Sequence, residues 1–568
     1  MKYLNPIQTK VKSIAFDTDE NMLVCAPTGA GKTNVALLCI MHEIEKHIDK
    51  QTWTLKDNDF KMIYISPMKA LAAEIVDKFS TKLKPLKILV KELTGDMQLT
   101  KQEIQDTHII VTTPEKWDVI TRKSDGITAK LKLIIIDEIH LLNDDRGPVL
   151  ECIVARTLRM IERNQLPVRL VGLSATLPNP LDVAQFLRVN PDKGFFQFDA
   201  SYRPIPLHQR FIGVKEDKGY KEFKSLSHHY DKDEFNLKKG KGRTQKRRIE
   251  DTMNEICFEI VRRHLNDKNQ VMVFVHSRKE TMKYAIYLLE KFKEEGEDHT
   301  LLYNAINRDQ SMGRIKHKEL SRLCPNGIGF HNAGLLRRDR NIVEKLFLEG
   351  NLRVLVTTAT LAWGVNLPAH AVVIKGTDVY EPNKNMVDLS ILDIQQIFGR
   401  AGRPQFDTSG EATLITKYDK VNYYLGLMTN TMDIESQFLK SIKEALNAEI
   451  SLGTVSTIQE AKEWLKYTFF YIRLLRRPTN YKLELKGKDQ LSLKAEVEDY
   501  LQKILMDTVT QLNQLRLIRY DTKTMFLNST DLGRIASNYY IKTETMEHFC
   551  KELQIGDEKQ KCIILLFL

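Results

Sequence analysis

The sequence predicts an α/β protein with two parallel-sheet lobes in tandem and a winged-helix module behind them. Two series of short apolar runs, rich in β-branched residues, alternate with longer mixed stretches. This alternation is typical of buried parallel strands with helices covering both faces of the sheet. After residue 430 the strand pattern fades and helical periodicity replaces it. The 568 residues suffice for about three to four domains.

The predicted strands are brief, and most are followed by Thr, Ser, Pro or Asp, residues that favour turns and caps. The runs of the first lobe are 21–25, 62–65, 108–111, 133–136 and 170–173. Those of the second lobe are 271–275, 328–330, 354–356 and 371–374. We therefore expect lobe one to occupy residues 1–200 and lobe two to occupy residues 201–430.

An insertion at 216–250 interrupts the start of the second lobe. Residues 238–243 are basic and contain Gly, and residues 246–248 are also basic. The insertion has no apolar periodicity. We expect a flexible segment there. A solvated charged loop is favoured over a nuclear-import signal or a phosphate contact.

The third module is predicted at 431–568. Helical runs at 461–475 and 497–515 precede two short apolar runs, 517–520 and 525–527, that flank a polar turn. Helices followed by a small hairpin suit a winged-helix module.

Charge and cysteine usage limit the class of protein. The net charge of +11 and a pI near 9.0 favour a polyanionic partner. Seven scattered cysteines without C-x-x-C spacing argue for reduced thiols and against zinc. No apolar run reaches the ~20 residues of a membrane helix, and the start lacks the pattern of a signal peptide. We expect a soluble intracellular protein without a membrane partner, in the nucleus or the cytoplasm.

The segment 26–33 (APTGAGKT) predicts an ATP site, because it joins a predicted strand to a predicted helix. Glycines let backbone N–H groups point at phosphate, at a helix N-terminus whose dipole favours anions. Lys32 is expected to reach the β- and γ-phosphates, and the Thr33 hydroxyl to bind Mg²⁺. The strict motif begins with Gly where this chain has Ala26, and a structural Gly-rich turn is the alternative. The predicted ATP ligands are Thr28, Gly29, Ala30, Gly31, Lys32 and Thr33.

Two adjacent acids, Asp137 and Glu138, end the strand 133–136. Asp137 is placed to hold Mg²⁺ directly or through water, and Glu138 to polarise the attacking water. Acids at a strand end also cap helices, but the phosphate loop upstream favours the catalytic interpretation. His140 either links this site to other elements or makes a simple hydrogen bond.

Three further motifs, 66–71, 112–118 and 174–176, begin where predicted strands end. They share the carboxyl edge of one sheet, where open α/β folds bind ligands. Hydroxyl and N–H groups there suit a sugar-phosphate backbone, whereas any one motif alone is equally well an ordinary turn. The predicted nucleic-acid contacts of lobe one are Pro67, Lys69, Thr113 and Pro114.

Lobe two has corresponding motifs. Its predicted nucleic-acid contacts are Ser277, Arg278 and Thr358, and its predicted nucleotide contacts are Gly364 and Asn366. The segment 396–404 ends the lobe with two arginines among glycines, which suits an arginine finger. Solvated surface arginines are the alternative. The catalytic residues predicted there are Gln396, Arg400 and Arg403.

The ordered motifs APTGAGKT, PMKALAAE, TTPEKWD, DEIH, SAT, TATLAWGVNLP and QIFGRAGRP resemble a Ski2-like helicase of superfamily 2. The resemblance runs from Leu4 to about residue 550. It implies two RecA-like lobes closing on ATP, unwinding in the 3′-to-5′ direction, and adenine recognition by Gln8. It also implies that a hairpin at 380–386 separates the strands of a duplex.

Within the family, the chain is similar to one cassette of the tandem-cassette branch. Two groups in this branch are candidates for the resemblance: helicase subunits of the activating signal cointegrator complex, and spliceosomal U5-type RNA helicases. The segments 67–74, 91–99, 396–407 and 529–542 are more similar to the first. This similarity implies protein cofactors in a larger complex, and a role in ribosome quality control or DNA alkylation repair.

The leading hypothesis is an ATP-dependent helicase that takes single-stranded or tailed duplex nucleic acid, RNA or DNA. The runner-up is the spliceosomal RNA helicase. A nucleotide-binding scaffold with little turnover is an alternative of another class, and the complete set of predicted catalytic residues weighs against it. An ATPase that translocates without separating strands is also open.

Overall fold

The computed structural model describes residues 3–49, 51–52, 54–56, 60–95, 99–122, 127–215, 220–226, 229–235, 249–297, 301, 312–359, 361, 367–381, 385–403, 407–428, 433–485, 487 and 490–555. The chain divides into two compact units. The first comprises Met1–Ala26, Gly31–Phe198 and Asp433–Leu568, and the second Pro27–Ala30 and Asp199–Met432.

A seven-stranded, all-parallel sheet forms the core of the first unit. Its strands are β1 (Met22–Cys25), β2 (Lys61–Ile65), β3 (Val90–Leu93), β4 (Ile109–Thr112), β5 (Leu131–Ile136), β6 (Arg169–Ser174) and β7 (Phe195–Gln197). They lie in the order β3-β4-β2-β5-β6-β1-β7. The five predicted strands are confirmed as β1, β2, β4, β5 and β6, and they are buried almost throughout. The outer strands β3 and β7 were not predicted.

Helices connect these strands, as parallel pairing requires. They are α1 (Pro6–Asp17), α2 (Lys32–Lys46), α3 (Lys69–Leu83), α4 (Lys101–Asp106), α5 (Pro114–Thr121), α6 (Gly147–Asn164) and α7 (Pro180–Phe186). Pro stands in the first turn of α1, α5, α6 and α7, where its missing N–H costs no hydrogen bond.

The second unit has an eight-stranded sheet and a separate hairpin. Its strands are β8 (Leu207–Val214), β9 (Tyr220–Leu226), β10 (His229–Phe235), β11 (Val271–Val275), β12 (Ile328–His331), β13 (Val354–Thr358), β14 (Ala371–Lys375), β15 (Asp378–Glu381), β16 (Asn385–Asp388) and β17 (Gly410–Lys417). The sheet order is β10-β9-β8-β17-β14-β11-β13-β12, and β15 pairs with β16 alone. All four predicted strands are confirmed as β11, β12, β13 and β14.

The predicted insertion differs from the expectation. Strands β9 and β10 extend the sheet as antiparallel neighbours of β8, so part of 216–250 is regular structure. The basic runs 238–243 and 246–248 lie outside the described residues.

The helices of this unit flank its sheet. They are α8 (Ile249–Asn266), α9 (Arg278–Glu294), α10 (Lys318–Leu323), α11 (Arg337–Leu348), α12 (Ile391–Phe398) and α13 (Tyr418–Met428).

The segment from 433 onward contains helices and a hairpin. Its elements are α14 (Ile442–Ser451), α15 (Ile458–Leu465), α16 (Phe469–Arg476), α17 (Gln490–Gln514), β18 (Ile518–Tyr520), β19 (Leu527–Ser529), α18 (Asp531–Asn538) and α19 (Thr543–Ile555). This arrangement confirms the predicted winged helix with its hairpin. The predicted helical run 461–475 is two helices, because Thr468 caps α16 by accepting a hydrogen bond from the N–H of Tyr471. No helix in the described part of the chain is both long and apolar enough to cross a membrane.

Candidate active site

The loop between β1 and α2 has the backbone that the phosphate-binding prediction requires. Gly29 and Gly31 have positive φ angles of +83° and +94°, which residues other than Gly rarely adopt. Gly31 is the N-cap of α2, so the exposed N–H groups of the helix face this loop. Lys32 is buried, and its Nζ donates to the carbonyl of Ala26 at 2.9 Å. The lysine therefore lies along the loop that it is expected to complete.

Gln8, the residue that the resemblance assigns to adenine, lies against this loop. Asn5 and Gln8 form a capping box at the start of α1, in which each side chain accepts from the other's backbone N–H. A Cβ at Gly31 would lie 2.7 Å from Gln8 Nε2 and 2.8 Å from Asn5 Nδ2. Gly31 is thus required both by its φ angle and by the close approach of α1.

The acid pair follows β5 directly. The hydroxyl of Tyr64 donates to Asp137 Oδ2 at 2.5 Å, and the N–H of Glu138 donates to Asp137 Oδ1 at 3.0 Å. Burial and the neighbouring charge of Glu138 raise the pKa of Asp137 to about 6. Glu138 has a φ of +52°, and a non-Gly residue held there marks a strained backbone of the kind found at functional sites.

The donor set at this site fits Mg²⁺. The hydroxyl of Thr33 and the carboxylate of Asp137 are hard oxygen ligands of the type that Mg²⁺ prefers. The carboxylate of Asp137, whose ionisation is opposed by burial, is also stabilised by a divalent cation.

His140 lies between Glu138 and the SAT motif. Its Nδ1 is 3.3 Å from Ser174 Oγ and 3.5 Å from Glu138 Oε2. Burial, reinforced by the charge of Lys32, lowers the pKa of His140 to about 3. The imidazole is therefore neutral at physiological pH, and the geometry favours the linking role over an isolated hydrogen bond.

The predicted nucleic-acid residues of lobe one follow β2 and β4, which are neighbours in the sheet. Lys69 is exposed at the start of α3, whereas Pro67, Thr113 and Pro114 are buried. Sequence reasoning missed Arg146, whose Nε and Nη2 bind the carboxylate of Glu115 at 2.6 and 2.9 Å. Its Nη1 donates to the carbonyl of Pro67, so Arg146 ties the two motifs together. Only its position shortly after the DEIH motif could have suggested this role.

In the second unit, Ser277 and Arg278 are exposed at the start of α9, and Thr358 ends β13. Strands β11 and β13 are paired, so these residues share one sheet edge. Asn332 was not predicted; its buried amide donates to Thr281 Oγ1 at 2.8 Å and to the carbonyl of Arg278 at 3.4 Å. Gly364 and Asn366 lie outside the described residues.

The arginines at the end of α12 have different environments. Gln396 is buried within α12, and Arg400 is half-buried just beyond it. The guanidinium of Arg403 binds Asp407 through Nε at 3.0 Å and Nη2 at 2.8 Å, and its Nη1 donates to Gln270 Oε1 at 2.9 Å. A role for Arg403 as a finger stays a prediction, and it requires this network to open. The i,i+4 spacing of Arg403 and Asp407 was the available signal for the pair.

Comparison with protein families assigns most of the chain. Residues 5–183 match DEAD/DEAH box helicase, and residues 251–405 match helicase conserved C-terminal domain. Residues 435–521 match a winged helix-turn-helix domain, and residues 529–567 match the Sec63 Brl domain. The chain therefore carries the two domains of a DEAD/DEAH box helicase, followed by a winged-helix domain.

The relatives confirm the expected resemblance. The chain is 50% identical to activating signal cointegrator 1 complex subunit 3 of Dictyostelium discoideum over 98% of its length, which is 24% of that protein. It is 48% identical to the Homo sapiens protein of the same name over 97% of its length, again 24% of the relative. It is 46% identical to DExH-box ATP-dependent RNA helicase DExH14 of Arabidopsis thaliana, with 97% and 24% covered. The chain thus spans about a quarter of the length of these relatives.

Proposed function

We propose that the chain couples ATP hydrolysis to 3′-to-5′ movement along single-stranded nucleic acid and to strand separation. The observation that carries the proposal is the phosphate loop, in which two positive-φ glycines precede a helix that begins at the buried Lys32. The acid pair Asp137 and Glu138 supplies the second part of an ATPase.

In this proposal, the loop N–H groups and Lys32 hold the phosphates of ATP. Thr33 and Asp137 would hold Mg²⁺, which when bound neutralises charge on the phosphates. Glu138 orients the attacking water, and the neutral imidazole of His140 lies beside it, with Nδ1 3.5 Å from Glu138 Oε2. Gln8 binds the adenine edge, and Gln396, Arg400 and Arg403 stabilise charge that develops during transfer.

Nucleic acid is proposed to run along the carboxyl edges of the sheets, with Lys69 and Arg278 as the exposed cationic contacts. Such contacts reach phosphates, so they are compatible with either RNA or DNA. The hairpin β15–β16 is proposed to divide the duplex. The names of the relatives support an RNA substrate and membership of a larger protein complex. We further propose that the chain acts in the nucleus or the cytoplasm. We propose that it takes part in ribosome quality control or DNA alkylation repair.

The test is ATP hydrolysis by the purified chain with single-stranded DNA and single-stranded RNA side by side. Lys32→Ala should lower kcat/KM by ~10²-fold or more, because it removes a positioned charge. Glu138→Gln should keep ATP binding and lose turnover. Lys193→Ala, which changes an exposed lysine, is the matched control. Near-normal turnover by Glu138→Gln would show that another group orients the water, and no turnover by the wild-type chain would favour the scaffold alternative.

A further inference from the structure

The base of the hairpin β15–β16 carries two like charges opposite each other. Asp378 of β15 is the cross-strand partner of Asp388 of β16 in the antiparallel register. Carboxylates in directly opposite positions destabilise a strand pair. A two-stranded ribbon is only marginally stable by itself, so this repulsion needs compensation.

Lys420, in α13, supplies the compensating charge. Its Nζ lies 2.6 Å from Asp378 Oδ1 and also donates to Asp388 Oδ1. Burial alone would raise the pKa of Asp378, but hydrogen bonds from Lys417 and Lys420 lower it, so the carboxylate is ionised. Lys420 is therefore a bridge between the two strands, at the end of the hairpin opposite its tip.

Further contacts fix this base to the rest of the unit. The N–H of Gly376 donates to the carbonyl of Ile415, so the chain entering the hairpin still pairs with β17. The N–H of Leu389 donates to the carbonyl of Thr377 at 2.8 Å. Tyr424, one helical turn after Lys420, donates its hydroxyl to the carbonyl of Leu389 at 3.3 Å. Thus α13 holds both chains of the hairpin where they leave the sheet.

We propose that Lys420 is a positioning residue for strand separation, because it closes the base of the hairpin β15–β16 and holds its two strands together there. The inference rests on the proposed function, in which this hairpin divides the duplex. Lys420 has no part in the predicted ATP site, so its effect should be confined to the coupling of hydrolysis to unwinding.

The experiment compares two activities of the full chain, using a 3′-tailed duplex of DNA and one of RNA. Lys420→Met should keep nucleic-acid-stimulated ATPase within about twofold and slow strand displacement at least ~10-fold, since small misplacements of working groups are costly. Lys420→Arg should retain both activities, because its guanidinium can bind two carboxylates. The matched control is Lys417→Met; among the described residues Lys417 pairs only with Asp378, so its loss should have the smaller effect.

A rescue separates positioning from a general structural role. Asp388→Asn in the Lys420→Met background removes the like-charge pair, and we expect it to restore at least about half of the lost unwinding rate. Three outcomes would overturn the inference and leave the proposed function standing. They are unchanged unwinding by Lys420→Met, loss of both activities in that variant, and failure of the rescue. A wild-type chain that hydrolyses ATP but displaces no strand would instead contradict the proposed function, and the inference with it.

Discussion

Glu151 lies in α6, and its carboxyl group is fully buried. It accepts from Ser436 Oγ at 2.6 Å and from the N–H of Phe470 at 2.8 Å. Burial raises the pKa of Glu151 to about 8, so the group is largely protonated at neutral pH. In the unfolded chain the pKa of a glutamate is about 4.3, so this proton is released at a much lower pH than in the native state.

This difference predicts a pH dependence of stability. Between about pH 4.3 and about pH 8 the native state holds more protons than the unfolded state, so Glu151 makes the free energy of unfolding fall as pH rises. Glu151→Gln imitates the protonated acid and removes the effect. We expect the difference in unfolding free energy, variant minus wild type, to grow by up to ~1.4 kcal/mol per pH unit over this range.

Denaturant titrations at about pH 5.5 and about pH 8 measure this difference. Glu162→Gln, which changes an exposed glutamate of the same helix, is the control and should show no comparable trend. A Glu151→Gln variant whose relative stability is the same at both pH values would show that the carboxyl group is ionised in the native state.

At the residue scale, the sequence predicts groups that are contiguous in a motif and misses the partners that hold them. Lys32 and Asp137 stand out because their neighbours in the chain define a loop or a strand end. Tyr64 binds Asp137 from 73 positions away, and Arg146 reaches Pro67 across 79. Only the folded sheet brings such residues together, so no local pattern encodes them.

At the scale of elements, the strands that were predicted contain continuous apolar runs, which burial of both faces selects. The interior strand β17 was missed although it is buried, because Glu and Thr interrupt its apolar residues. Strand β8 was not predicted, because its first half is only partly buried and contains polar residues. The division of 461–475 at Thr468 was missed for a different reason: apolar periodicity continues across the break, and a single capping hydroxyl begins the second helix.

The hairpin β15–β16 is expected to act in strand separation and not in ATP hydrolysis. Its tip, residues 382–384, lies outside the described residues and in sequence contains none of the catalytic residue types. The sequence alone predicts that Tyr380 stacks on an unpaired base, worth ~1–3 kcal/mol per base. Replacing residues 381–385 with a Gly-Ser linker should keep nucleic-acid-stimulated ATPase and impair displacement of a 3′-tailed duplex. The same replacement of the surface loop 191–193 is the control. Unchanged displacement after the hairpin replacement would place the wedge elsewhere.

At the scale of the whole molecule, the segment after residue 433 belongs to the same compact unit as the first sheet. Buried charges connect them. Arg156 of α6 binds Glu449 of α14 through Nη2 at 2.7 Å and Asp118 of α5 through Nη1 at 2.9 Å. Both carboxylates have side chains only 1% exposed. Because α5 begins at Pro114, directly after its N-cap residue Thr113, this network joins a predicted nucleic-acid motif to the winged helix.

Breaking this network is expected to destabilise the chain. Arg156→Met leaves the buried carboxylate of Glu449 without its cation, and breaking a buried pair in this way costs about 3–5 kcal/mol of unfolding free energy. Glu449→Gln in the same chain removes that stranded charge, so the double variant should be more stable than Arg156→Met alone. Arg534→Met, which breaks an exposed pair with Asp531, should change the free energy by less than about 1 kcal/mol. The measurement is denaturant unfolding at neutral pH, and equal stability of the single and double variants would mean that Glu449 is not held as a buried charge by Arg156.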